Sequence, residues 1–152
     1  MVKVSFDVLD VVEVNERNLY FSLNLNLNLT WYEHRLDYFN LKSSPLQNLV
    51  PHTVAEKMWT PPLVFSNNPE FYMLTFKESS VLYVERQGRG HPTSLNEIRE
   101  AMIYHGNKNP LHLGSSLLLK FKCDFKLLLF PFDRQECFAE VIPPFEKKSY
   151  TM

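Results

Sequence analysis

Thiols, imidazoles and carboxylates are the side chains through which this sequence could do chemistry, and it spaces them sparingly. Cys123 and Cys137 are its two cysteines, with thirteen residues between them. Such a pair is either two buried free thiols or one disulfide. Phe130-Pro131-Phe132-Asp133 supplies a compact turn between them that could bring the two ends together. A disulfide closing a loop of this size would stabilise the fold by about 3 kcal/mol on the chain-entropy model and would imply an oxidising compartment. His34, His52, His91, His105 and His112 show no metal-ligand spacing and read as surface or turn residues. Neither cysteine lies near a His-Asn or His-Asp arrangement, and carboxylates occur singly, without an acid–base pair. Gly88-Arg89-Gly90 is too short to cradle a phosphate and no helix start follows it. An enzyme, a cofactor and a bound metal are therefore not expected.

Composition narrows the class. Sixteen Lys and Arg against seventeen Asp and Glu leave a net charge of −1, which argues against a grip on nucleic acid. The longest apolar run, Leu127 to Phe132, is six residues, whereas a membrane-spanning helix needs roughly 20. No charged-then-apolar leader follows Met1. Four Gly and three Ala argue against Gly-rich nucleotide-binding layouts, while twenty-one aromatics with ten Pro favour an all-β domain.

The elements that must position these residues read as short strands. Val2, Val4, Phe6 and Val8 share one parity, and a polar turn cluster follows at Asn15-Glu16-Arg17-Asn18. Leu19, Phe21, Leu23, Leu25, Leu27, Leu29 and Trp31 alternate with Tyr20, Ser22, Asn24, Asn26, Asn28 and Thr30. That period of two predicts a strand with one apolar and one Asn-rich face. Pro45, Pro51, Pro61 and Pro62 favour irregular structure over a long helix. Phe71 to Phe76, Val81 to Val84 and Leu117 to Phe125 are further strand candidates. Ser94-Leu95-Asn96-Glu97 fits a capping box that would open a short helical turn; the alternative is a loop leading to a strand at Ala101 to Tyr104. Gly106 to Pro110 is a turn by composition, and the whole reads as an antiparallel sandwich.

Cys123, thirteen residues and Cys137, with Phe-Pro-Phe-Asp before the second cysteine, resembles the signature loop of the Cys-loop (pentameric) ligand-gated ion channels. Trp31-Tyr32-Glu33-His34-Arg35-Leu36 is similar to the family's Trp-x-Asp-x-Arg-Leu. Trp59-Thr60-Pro61-Pro62, followed by Asn67, is similar to its Trp-x-Pro-Asp segment, with Pro62 in place of the Asp. The stretch from Tyr104 to Leu111 is similar to divergent arthropod members. Trp31, Arg35, Trp59, Pro61 and Asn67 thus carry the motifs. Trp31 and Trp59 are read as core residues rather than ligand contacts.

The resemblance implies an immunoglobulin-like antiparallel β-sandwich on the extracellular face of the plasma membrane, with a disulfide between Cys123 and Cys137. It implies a small-molecule neurotransmitter-like ligand and assembly with other subunits into a homo- or hetero-pentamer. It places Glu16, Phe130, Pro131, Phe132 and Asp133 where ligand binding is coupled to gating. The ligand-facing positions, counted from the motifs, become Asn26, Asn28, Ser66, Gly114 and Ser116. Small polar residues there weaken the case for an amine ligand, which aromatic rings would hold by cation–π attraction. Asn28-Leu29-Thr30 is also a glycosylation sequon, and a glycan on Asn28 would occupy that same surface.

By this resemblance residues 1–152 are a partial ligand-binding domain, from the first strand through the disulfide loop. The closing strands would be absent, membrane attachment would lie in segments outside the chain, and unpaired edges and uncovered apolar faces are expected. The alternatives are a soluble secreted ligand-binding or decoy protein on the same sandwich, or a truncated gene product without independent activity.

Overall fold

The computed structural model describes residues 1–70, 72–74, 79–93, 101–129 and 132–142. The strands in chain order are β1 (Val2–Asn15), β2 (Tyr20–Trp31), β3 (Asp37–Phe39), β4 (Val64–Phe65), β5 (Tyr72–Met73), β6 (Val81–Val84), β7 (His91–Thr93), β8 (Ala101–His105), β9 (Leu111–Lys122) and β10 (Val141–Ile142). The only α-helix among the described residues is one turn, α1 (His52–Ala55). The strands form sheets of order β1-β2-β9-β6, β10-β4-β5 and β3-β8-β7, the all-β antiparallel sandwich that the sequence predicts.

The chain divides into two compact units. The first comprises Met1–Asp7, Asn26–Pro61 and Phe76–Ser116; the second comprises Val8–Leu25, Pro62–Thr75 and Leu117–Met152. In the first unit Leu27, Leu29 and Trp31 of β2 are buried, as are Leu82 and Val84 of β6 and Leu111 and Leu113 of β9. The register of β6 on β9 sets Leu82 against Leu113 and, on the other face, Val81 against Gly114 and Tyr83 against His112. Strand alternation therefore sends one parity of each strand into the core and leaves the other parity as a polar face. The β3-β8-β7 sheet pairs Tyr38 with Tyr104 and His91 with Ile103. Gly106, in the turn after β8, donates its N–H to Leu36 O (2.8 Å), and a Cβ there would collide with the carbonyl oxygens of Glu33 and Leu36. The turn composition had predicted a turn; the structure adds why its first residue is glycine.

In the second unit Phe21, Leu23 and Leu25 of β2 are buried, as are Leu117, Leu119 and Phe121 of β9 and Leu63 and Phe65. Phe121 lies at ring-centroid distances of 5.6 Å from Phe21 and 6.0 Å from Phe65. Leu19 closes the turn after β1 in the left-handed region, at φ 55°. That conformation costs a leucine roughly 1–2 kcal/mol, offset in part by the bond its carbonyl accepts from Cys123 N (2.9 Å).

Several elements depart from the sequence reading. β9 begins at Leu111, six residues before the expected Leu117, because Gly114-Ser115-Ser116 hides an alternation of Leu111 and Leu113 with His112 and Gly114; it ends at Lys122 rather than Phe125. β5 covers two residues of the expected Phe71 to Phe76 strand, and Phe71, Thr75 and Phe76 lie outside the described residues. The Ser94 to Glu97 capping box also lies outside them, whereas the strand expected at Ala101 to Tyr104 is β8. β1 carries its valines on an outer strand, exposed on both faces (Val8 61%, Val11 54%).

Candidate functional site

Four of the five positions expected to face a ligand surround one recess of about 210 Å³ on the polar face of the first unit. Asn26 and Asn28 come from β2, Gly114 and Ser116 from β9, and Ser79, Val81 and Ser115 complete the lining. Three of them are held by local bonding. Ser116 Oγ donates to Asn26 Oδ1 (2.7 Å), and Asn28 Nδ2 reaches toward Asp7 Oδ2 at 3.5 Å. A Cβ on Gly114 would stand 3.6 Å from Asn28 Oδ1, an ordinary contact distance, so glycine leaves the floor of the recess bare without being forced by crowding. The lining residues carry no formal charge and no aromatic ring, and they offer amide and hydroxyl donors and acceptors.

Ser66, the fifth position, belongs to the second unit and is not part of this lining. Its hydroxyl donates to Glu140 Oε2 (2.6 Å) and its N–H to Glu140 O (3.1 Å). Sequence spacing alone missed Ser79, Val81 and Ser115; the register of β6 on β9 sets Val81 against Gly114, Ser79 lies just before β6, and Ser115 sits between Gly114 and Ser116 on β9.

One step along the same face lies a second cluster. His112 Nε2 is 2.8 Å from Glu85 Oε2, its Nδ1 is 3.1 Å from Thr30 Oγ1, and its ring stacks on Tyr83 at 4.9 Å. The expectation that every histidine is a surface or turn residue is therefore wrong for His112, a half-buried strand residue. His34, His91 and His105 are exposed. Among the described residues no group of three or more His, Cys, Asp or Glu could hold a metal ion.

The motif residues brace the scaffold. Both oxygens of Glu33 are taken by Arg35, through Nε (2.8 Å), Nη2 (2.7 Å) and the backbone N–H (3.2 Å). That guanidinium outweighs the cost of burial and holds the Glu33 carboxyl down at about 2, against an ordinary 4.5. A depressed carboxylate contributes stability that is present above pH 4.5 and lost as pH falls toward 2. Urea midpoints measured across that window should fall further for wild type than for Glu33→Gln; identical profiles would contradict the assignment. Trp31 is buried as expected, but Trp59 is 45% exposed, a correction to its expected core role: its ring reaches only the edge of Trp31, 6.4 Å away. Pro61 is buried. Asn67 clamps the second unit, its Nδ2 donating to Phe138 O (2.6 Å) and its Oδ1 accepting from Glu140 N (2.9 Å).

Cys123 and Cys137 are joined by a disulfide, with 5.4 Å between their Cα atoms. Within the loop Gln135 accepts from Lys126 N (2.9 Å), donates to Lys126 O (3.1 Å) and also donates to Asp133. Leu128 and Phe132 project almost fully exposed, at 97% and 91%. Phe130 and Pro131 lie outside the described residues. Glu16 is exposed in the turn after β1, and that turn meets the root of the loop through Leu19 O and Cys123 N.

Among the described residues no helix is long and apolar enough to cross a membrane. The family model described as "Neurotransmitter-gated ion-channel ligand binding domain" matches residues 1–145. The chain is 24% identical over 151 residues to the mouse (Mus musculus) gamma-aminobutyric acid receptor subunit theta, covering 99% of this chain and 19% of that protein. It thus spans about a fifth of the length of the curated relative it matches. Disulfide loop, motif segments and all-β architecture agree with the family match, which is to a receptor domain and not to an enzyme: this chain belongs to the neurotransmitter-gated ion-channel ligand-binding domain family.

Proposed function

We propose that this chain is the ligand-binding part of a pentameric ligand-gated channel subunit on the extracellular face of the plasma membrane. It binds a small neurotransmitter-like molecule and couples its binding to pore opening, in assembly with other subunits. The observation that carries this reading is the convergence of Asn26, Asn28, Gly114 and Ser116 on one recess. Their amide and hydroxyl groups suit a ligand recognised by hydrogen bonds, such as an amino acid, more than an amine that needs an aromatic box. The name of the mouse relative, a gamma-aminobutyric acid receptor subunit, points the same way.

Coupling runs through the second unit. Glu16 lies in the turn bonded to the root of the disulfide loop, and Phe130, Pro131, Phe132 and Asp133 belong to that loop's sequence; with Glu16 and Asp133 as its charged parts, this end of the unit would couple binding to gating through packing or charge pairing that differs between closed and open states. Asn28 has a second role open to it: a glycan on its sequon would fill the recess and silence the site.

The test is voltage clamp of cells expressing the full-length subunit that carries this chain. γ-Aminobutyric acid, glycine, glutamate and acetylcholine are applied in turn. The expected result is a current evoked by an amino acid and not by acetylcholine, with Gly114→Trp raising the half-maximal concentration by about tenfold or more. An unchanged response in Gly114→Trp would overturn the assignment of the recess.

A further inference from the structure

A different recess, of about 340 Å³, opens in the first unit among Glu33, Arg35, Leu36, Lys57, Met58 and Trp59. Its volume lies at the lower end of the roughly 300–1,000 Å³ that small-molecule sites span. Its chemistry is unlike that of the Asn-lined site. Trp59 offers a half-exposed indole beside the apolar side chains of Met58 and Leu36. An exposed indole face would ordinarily invite a cation, but fixed charge decides otherwise here. The carboxylate of Glu33 is saturated by Arg35, so that pair sums to zero. Lys57 is exposed and, among the described residues, has no ion-pair partner; its neighbour Glu56 lies 3.3 Å from His52. Arg35 is itself 72% exposed, with Nη1 not engaged by Glu33. The recess therefore carries one uncompensated positive charge at the rim of an apolar floor.

We propose that this recess binds a small monoanion bearing a flat apolar group, with the ring against Trp59 and the anionic end at Lys57 and the free edge of Arg35. This site is separate from the Asn-lined recess and does not depend on the channel reading.

Three probes with the same three-carbon arm and different charge test it: 3-phenylpropionate, 3-phenyl-1-propanol and 3-phenylpropylamine, titrated into the whole chain. Tryptophan emission, excited where a phenyl ring does not absorb, reports the recess through Trp59, which lines it, whereas Trp31 does not. The acid is expected to produce a saturable change, with the alcohol and the amine weaker by about tenfold and added salt weakening the acid. Lys57→Glu, an exposed substitution whose unfolding midpoint should match wild type, is expected to weaken the acid by about tenfold and to strengthen the amine. Trp59→Phe should remove the optical signal while saturation-transfer NMR still detects the bound acid. Equal binding of acid and alcohol, or an unaltered affinity in Lys57→Glu, would overturn the proposal.

Discussion

Phe121→Ala is expected to lower the unfolding free energy by about 3–5 kcal/mol, the range for deleting a fully buried aromatic ring. Phe121 is 0% exposed on β9, and its ring is contacted by Phe21 and Phe65 at 5.6 Å and 6.0 Å. Truncation removes the apolar area and leaves a cavity that β2 and β4, each fixed by its own strand pairing, cannot collapse to fill. A domain's whole stability is about 5–15 kcal/mol, so this one change removes a large share of it. Phe121→Leu, which keeps most of the volume, should lose far less. Guanidinium unfolding of the three proteins gives the comparison. A loss under about 1 kcal/mol for the alanine variant would show that Phe121 is not the centre of that core.

The second large effect belongs to the cysteines. Cys123 and Cys137 are 14 positions apart, and a loop of that length cross-linked in the unfolded chain is worth about 3 kcal/mol. The double variant Cys123→Ser/Cys137→Ser avoids an odd thiol and is expected to lose about that amount. Wild type under reductant should fall to the same stability, and the variant should not respond to reductant at all. The root of the loop has other anchors: Cys123 N on Leu19 O, Gln135 across to Lys126, and Asn67 on Phe138. Those contacts limit the loss to the chain-entropy share. A wild type indifferent to reductant would show that the disulfide does not contribute.

Most of the fold was legible because its strongest signals are local. The alternation from Leu19 to Trp31 reads as a strand with one apolar face, and β2 buries that parity from Phe21 to Trp31; Leu19 falls instead in the preceding turn and is 47% exposed. Val81 to Val84 and the turn at Gly106 were legible for the same reason. The first half of β9 was not: Gly114, Ser115 and Ser116 have little apolar contrast, and only pairing with β6 makes the alternation visible. His112 was misread with it, since a histidine on an unrecognised strand looks like a turn residue. Trp59 was misjudged because no periodicity in its segment says which way a loop side chain faces, and its loop leaves the indole half in solvent. Of the site, the parity of Asn26 and Asn28 was readable, while Val81 enters through cross-strand register with Gly114, which no single segment encodes. Ser66 was carried by motif spacing alone; its hydroxyl donates to Glu140.

The central claim is that the Asn-lined face receives the ligand. Its most direct measurement is the rate at which a thiol reagent modifies Ser116→Cys in the full-length subunit, with and without the transmitter that opens it. Leu118→Cys, also outward on β9 and 65% exposed, serves as the control. Transmitter is expected to slow modification at position 116 several-fold and to leave position 118 unchanged. Equal rates at position 116 with and without transmitter would contradict it.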